Sequence, residues 1–185
     1  MNKIGIMHLI DTLDVGGVER MVVNIINLLP RDCYKPFLCL TRRIGSLIKS
    51  LACDVECIIL TRKFTLDLFA IKNLLSYIKN HQIQLLHAHN NSLFISNIIK
   101  FLYPSIKIIW HDHYGLNEIK PRNCFIYMLL THRVEGIICV SNSLLEWAKF
   151  RLKISEKKIC YIPNTITSFV SNEEIPFFQV KKEKD

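Results

Sequence analysis

The chain has 185 residues, half of them hydrophobic, and carries 24 Lys and Arg against 16 Asp and Glu for a formal charge of +8. That much apolar material buries a full core, which excludes a disordered chain and favours one α/β domain over two. The basic balance selects anionic partners such as phosphate-bearing ligands or acidic lipid surfaces; aromatic and basic residues are not interleaved in any nucleic-acid-binding pattern, so nucleic acid is set aside.

The first apolar run predicts a strand over residues 3–9, followed by the loop Asp14-Val-Gly-Gly-Val-Glu-Arg20 and a helix over 17–29. Gly16 and Gly17 lack a Cβ, so they permit positive φ and a close backbone approach, and the first helical amides point unpaired N–H groups into the loop. Such a junction suits a phosphate or sugar, although a plain strand-to-helix turn explains it too. Arg20 faces either phosphate or solvent, and Glu19 complements the helix dipole without any ligand. Strands over 36–41 and 55–60 flank a helix over 45–52, and an amphipathic helix over 65–79 leads to a strand over 84–88 that ends in His87, His89, Asn90 and Asn91. A helix over 91–103 precedes a strand over 106–111, which runs into Asp112, His113 and Tyr114. A helix over 122–133, a strand over 136–140 ending at Ser141 and Asn142, a helix over 142–152 and a strand over 159–162 complete the alternation.

Strands alternating with helices predict a doubly wound, Rossmann-like parallel sheet with helices on both faces, and ligands bind such sheets beyond the carboxyl ends of the strands. Polar and titratable residues gather at those ends. His111, beside Asp112, is the candidate for chemistry, able to orient a hydroxyl or support developing positive charge. His87 and His89, two apart on a strand, face one side, and either also reads as a satisfied core histidine. The His-x-His pairs suggest a metal, but no third ligand stands at a readable spacing, so none is expected.

Seven cysteines, mostly in apolar runs, read as free thiols in a reducing compartment. No uncharged stretch is apolar enough to span a bilayer, and the N-terminal apolar run is too short for a signal peptide. The expected location is cytoplasmic, with contact at the inner face of a membrane left open.

The Gly-Gly-Val-Glu-Arg loop, His87-Ala-His89, His111-Asp-His-Tyr-Gly115, Cys139-Val-Ser141 and Tyr161-Ile-Pro-Asn164, in this order, resemble the N-terminal domain of family 4 glycosyltransferases. The resemblance implies one half of a GT-B architecture and sugar transfer from a nucleotide-sugar donor, with retention and without cofactor or metal, to a glycan or glycolipid in lipopolysaccharide, capsule or other polysaccharide synthesis. It implies that His111 is catalytic, near the donor sugar, that the Gly16-Gly17 loop approaches donor phosphates or acceptor, and that Asn164 lies at the crossover to a second domain. Arg20, His89, Asn90, Asp112, His113 and Ser141 complete the expected binding set. The chain departs from the family in lacking the Glu-x7-Glu pair of the donor-binding domain. Residues 1–168 are therefore expected to form the N-terminal domain and 169–185 a linker or frayed tail, with the donor half absent. A separate donor-binding chain would supply it, and the isolated chain should be inactive; a non-catalytic assembly subunit is the alternative.

Overall fold

The computed structural model describes residues 3–115 and 122–164; the expected tail over 169–185 lies outside them. All seven expected strands form and join one parallel sheet in the order β3-β2-β1-β4-β5-β6-β7. They are β1 (Ile4–Ile10), β2 (Tyr34–Leu40), β3 (Glu56–Ile59), β4 (Ile83–His89), β5 (Lys107–Asp112), β6 (Gly136–Cys139) and β7 (Ile159–Tyr161). The central strands are near-continuous apolar runs because both of their faces are covered. In β1, every residue after Ile4 is buried.

Two cores result, one on each face. Helix α1 (Gly17–Leu28) lays Val22, Val23 and Ile26 against Ile10, Leu38 and Leu40, and Leu47 joins them. The opposite face carries Met7, Leu9, Phe37, Leu86, Ala88, Ile108 and Trp110, covered by α2 (Leu68–Asn80), α3 (Leu93–Leu102) and α5 (Asn142–Glu146). Helix α4 (Cys124–Thr131) adds Cys124, Tyr127 and Leu130 at the border of that second core. Side-chain caps start several of these helices. Asp67 accepts from the amide of Ala70, which places the start of α2 three residues beyond the expected Thr65, and Asn123 and Ser141 cap α4 and α5.

Three local expectations change. Residues 45–52 form only a short 3-10 turn, Ser46–Ser50, because the backbone of Gly45 presses on that of Leu13 and the amide of Leu47 is bound to the Leu13 carbonyl at 2.9 Å. The helix over 142–152 closes in a π-helical turn, Trp147–Arg151. Of the seven cysteines, all free, only Cys39 and Cys139 are buried, while Cys33, Cys53 and Cys160 are exposed.

Candidate active site

The connections leave β1 and β4 in opposite directions along the sheet, so the loops beyond their carboxyl ends diverge and open a crevice. Register decides what faces it. His8 of β1 pairs with His87 of β4, and His89 pairs with His111 of β5. Residues two apart on a strand share a face, as do partners in register, so His8, His87, His89 and His111 stand on the face that carries Ile10 and α1. His113 follows directly, its ring 4.0 Å from that of His111.

The five rings are all buried; neighbours along a strand stack, His87 on His89 at 4.5 Å and His111 on His113 at 4.0 Å, and ring nitrogens meet across the strands. Nδ1 of His8 lies 3.2 Å from Nε2 of His89, Nε2 of His87 lies 3.2 Å from Nδ1 of His111, and Nδ1 of His89 lies 3.2 Å from Nε2 of His113. Nε2 of His8, Nε2 of His111 and Nδ1 of His113 have no partner. Burial is the main force on their titration, since an imidazolium here would lose its hydration without gaining a counter-charge. It takes His8 down to about 3 and His111 down to about 2, with neighbouring rings adding repulsion. His87 and His89 also fall well below the usual histidine range, for the same reason. His113 drops to about 4, the Asn164 side chain opposing the shift. The cluster is therefore neutral at pH 7, and its rings offer lone pairs and N–H dipoles.

Asp112 does not join it. One residue on from His111, it projects to the opposite face, where its two oxygens take Nη1 and Nη2 of Arg122 at 3.0 and 2.6 Å. Arg122 sits against the rings of Trp110, Tyr114, Tyr127 and Trp147, 4.1 to 5.5 Å from their centroids. Burial raises the Asp112 pKa while Arg122 opposes it. Asp112 thus balances a buried guanidinium and cannot orient His111. A cleft of about 210 Å³ opens beside this cage, lined by Asn90, Asn91, Tyr114, Arg122 and Tyr127.

The remaining expected residues divide into two groups. Gly16 is the extended N-cap of α1, at φ −167°, and no glycine among the described residues has a positive φ, so the loop does not use the conformational freedom expected of it. Of the pair, only Gly17 opens onto free space, where a Cβ would meet nothing within 4 Å; at Gly16 a Cβ would collide with the Glu19 carboxylate folded back over the start of α1. Arg20 is half-buried in the first turn, its amide bound to the Gly16 carbonyl. Asn90 holds a positive φ of 48° and binds the site together, its Oδ1 accepting from the amide of His113 and its carbonyl from the Trp110 indole. Ser141 is committed as the cap of α5, and Asn164 lies beside His113.

Sequence reasoning overlooked His8 and Arg122. His8 was findable from its phase with Ile6 and Ile10 near the end of the strand next to β4, whereas Arg122 carried no signal, its partner being ten residues away. The absence of a third metal ligand was likewise an effect of spacing. The fold brings one ring nitrogen each of His8, His87 and His89, and of His89, His111 and His113, within 4.8 Å of one another.

The family model described as Glycosyltransferase Family 4 matches residues 15–168. No curated protein matches the chain. Among solved structures, a glycosyltransferase from Rickettsia africae ESF-5 aligns at 19% identity and a TM-score of 0.66, over 88% of this chain and 43% of that one. Anabaena Alr3699/HepE in complex with UDP and glucose aligns at 16% identity and 0.66, over 88% and 45%. The lipopolysaccharide outer core galactosyltransferase WaaB, in its apo form, aligns at 16% identity and 0.64, over 89% and 46%. The fold is thus the Rossmann-like half of a GT-B architecture, and the chain spans less than half the length of these matched structures.

Proposed function

The chain belongs to glycosyltransferase family 4, and on that premise we propose that residues 1–168 form the acceptor-side half of a retaining nucleotide-sugar glycosyltransferase. In that reaction the bond from the anomeric carbon to the diphosphate oxygen breaks, a bond to the acceptor hydroxyl oxygen forms on the same face, and the hydroxyl proton leaves with the nucleoside diphosphate. The observation that carries the reading is His111 of β5, whose buried, unpartnered Nε2 belongs to the histidine cluster that spans the switch point between β1 and β4. Neutral at pH 7, it delivers no proton. It supports positive charge at the anomeric carbon with a fixed lone pair, or holds a donor hydroxyl with its N–H, in a dry site where such a dipole needs no reorganisation.

The open side of Gly17 leaves room for a phosphate or hydroxyl at the first amides of α1. The cleft under Tyr114 and Tyr127 offers ring faces and the amides of Asn90 and Asn91, a lining suited to the acceptor sugar of a glycan or glycolipid. Among the described residues no helix is long and apolar enough to cross a membrane, so a glycolipid acceptor would be met at the surface of the cytoplasmic leaflet. Because HepE was solved with UDP and its length is about twice the matched span, we assign donor binding to a second half, in the same protein or in a partner chain. Preorganising leaving group and nucleophile needs both halves, so the 185-residue chain alone should transfer little.

The test is calorimetry and transfer assays with uridine and guanosine diphosphate sugars, on the chain alone and with extract of the producing cells, repeated with His111→Ala. The reading expects silence alone, activity with extract, and at least about a tenfold loss in the variant, roughly 1.4 kcal/mol of barrier. Silence in both conditions favours a non-catalytic assembly subunit, and a smaller loss removes His111 from the reaction.

A further inference from the structure

We propose that the five-histidine cluster is a binding site for a borderline divalent transition metal, zinc being the best fit, with His89, His111 and His113 as ligands and the fourth position open toward the crevice. The geometry of the donor atoms carries this. Zinc to imidazole bonds of roughly 2.0 to 2.1 Å hold ligand nitrogens about 3.3 Å apart at a tetrahedral centre. Nδ1 of His89 and Nε2 of His113 are 3.2 Å apart, and one ring nitrogen of His111 lies within 4.8 Å of one from each. For His111 we take Nε2 as the donor, since it has no partner while Nδ1 is engaged by His87.

The second observation is that two of the three ligands have a partner for the other ring nitrogen, while Nδ1 of His113 has none. Nε2 of His89 meets Nδ1 of His8, Nδ1 of His111 meets Nε2 of His87, and Asn164 stands beside the His113 ring. Metal-bound histidines regularly donate their second N–H to such a neighbour, which fixes tautomer and ring orientation. With Nε2–H of His89 donated to His8 and Nδ1–H of His111 donated to His87, His89 Nδ1 and His111 Nε2 present lone pairs. His113 completes the set by carrying its proton on Nδ1, which has no partner in the fold, so metal entry moves a proton within one ring and releases none. Three neutral imidazoles with no carboxylate form a donor set for zinc, copper or nickel, whereas magnesium and calcium prefer oxygen ligands. No feature of the sequence announces this site, since its ligands and their supports come from three strands that are adjacent only in the folded sheet.

The experiment titrates the full chain, freed of metal with chelator, with zinc chloride by calorimetry and with cobalt chloride by visible absorption. Zinc on Nε2 of His111 would occupy the lone pair that the proposed reaction uses, so the metal-bound chain is a resting form; no donor or transfer assay enters, and the outcome stands apart from that reaction. The expected result is one zinc per chain with a Kd below about 10 μM, and cobalt bands without the thiolate charge-transfer absorption that the free cysteines would produce. His113→Ala should weaken binding by more than tenfold, with His113→Gln replacing it where circular dichroism shows that the alanine variant is unfolded. His8→Phe leaves all three ligands in place but removes the support of His89, and should cost about 10- to 100-fold. His81→Ala, at the end of α2 and away from the cluster, should bind as the parent does. Absence of binding at 100-fold lower affinity than expected, a thiolate signal, or unchanged affinity in the His113 variant overturns the assignment.

Discussion

Gly45→Ala tests how the loop that leads into the site is held. A Cβ at position 45 would lie 1.9 Å from the carbonyl carbon of Leu13, 2.1 Å from the amide nitrogen of Asp14 and 2.2 Å from the Leu13 oxygen. All three are backbone atoms, so no side chain can swing aside. Relief to ordinary contact, about 3.5 Å between carbons, requires a shift of roughly 1.5 Å. Leu13 is fully buried, and its carbonyl accepts from Leu47 at 2.9 Å, so the shift disturbs packing and stretches a hydrogen bond. Overpacking of this kind costs about 1 to 3 kcal/mol and a lost bond about 1 more, giving an expected loss of about 2 to 4 kcal/mol. With an m-value of about 2 kcal/mol per molar urea, the unfolding midpoint should fall by roughly 1 to 2 M. Gly17→Ala is the matched control. Its Cβ enters open space at the first residue of α1, so the unfolded chain loses freedom at no cost to the fold, and stability should rise by about 0.5 to 1 kcal/mol. Urea denaturation of both variants decides the matter: a loss under about 1 kcal/mol in Gly45→Ala would refute the claim that this glycine fixes the loop.

Acid should unfold the protein through the histidine cluster. The folded pKa values of His8, His111 and His113 are depressed below the unfolded value of 6.5, so their contribution is complete above 6.5 and is lost as pH falls through the interval down to about 3, 2 and 4, respectively. Each ring removes about 1.4 kcal/mol per pH unit there, so several together exhaust ordinary domain stability near pH 5, and a native circular dichroism spectrum at pH 4 would contradict the buried, neutral cluster. Arg122→Ala should cost about 3 to 5 kcal/mol in chemical denaturation, because it strands the buried Asp112 carboxylate; Asp112→Asn in the same background should recover part of the loss. Glu135→Ala should cost about 1 to 3 kcal/mol, since the Glu135 carboxylate takes the Ile108 amide at 2.6 Å and Lys100 at 2.8 Å; hydrogen exchange should quicken at Ile108, and unchanged protection there would rule this anchor out.

The sequence alone determined the elements and the edge on which the site lies. A strand alternates its side chains whatever its neighbours are, so seven apolar runs separated by helix-period segments were legible as seven strands, and His87 with His89 were legible as sharing one face. The same alternation already separated Asp112 from His111, although adjacency in the chain invited pairing them. Strand order is not local. Only the placement of β1 beside β4, 79 residues apart at their first residues, brings His8 into contact with His87 and His89, and only that of β4 beside β5 turns two His-x-His motifs into one buried cluster. The tertiary structure likewise decided that Arg122 takes Asp112, that Gly45 must admit the backbone of Leu13, and that the glycine loop works through open space instead of through a positive φ. Each of these depends on which surfaces meet once the core has closed, and packing between distant segments leaves no periodicity in the chain to read.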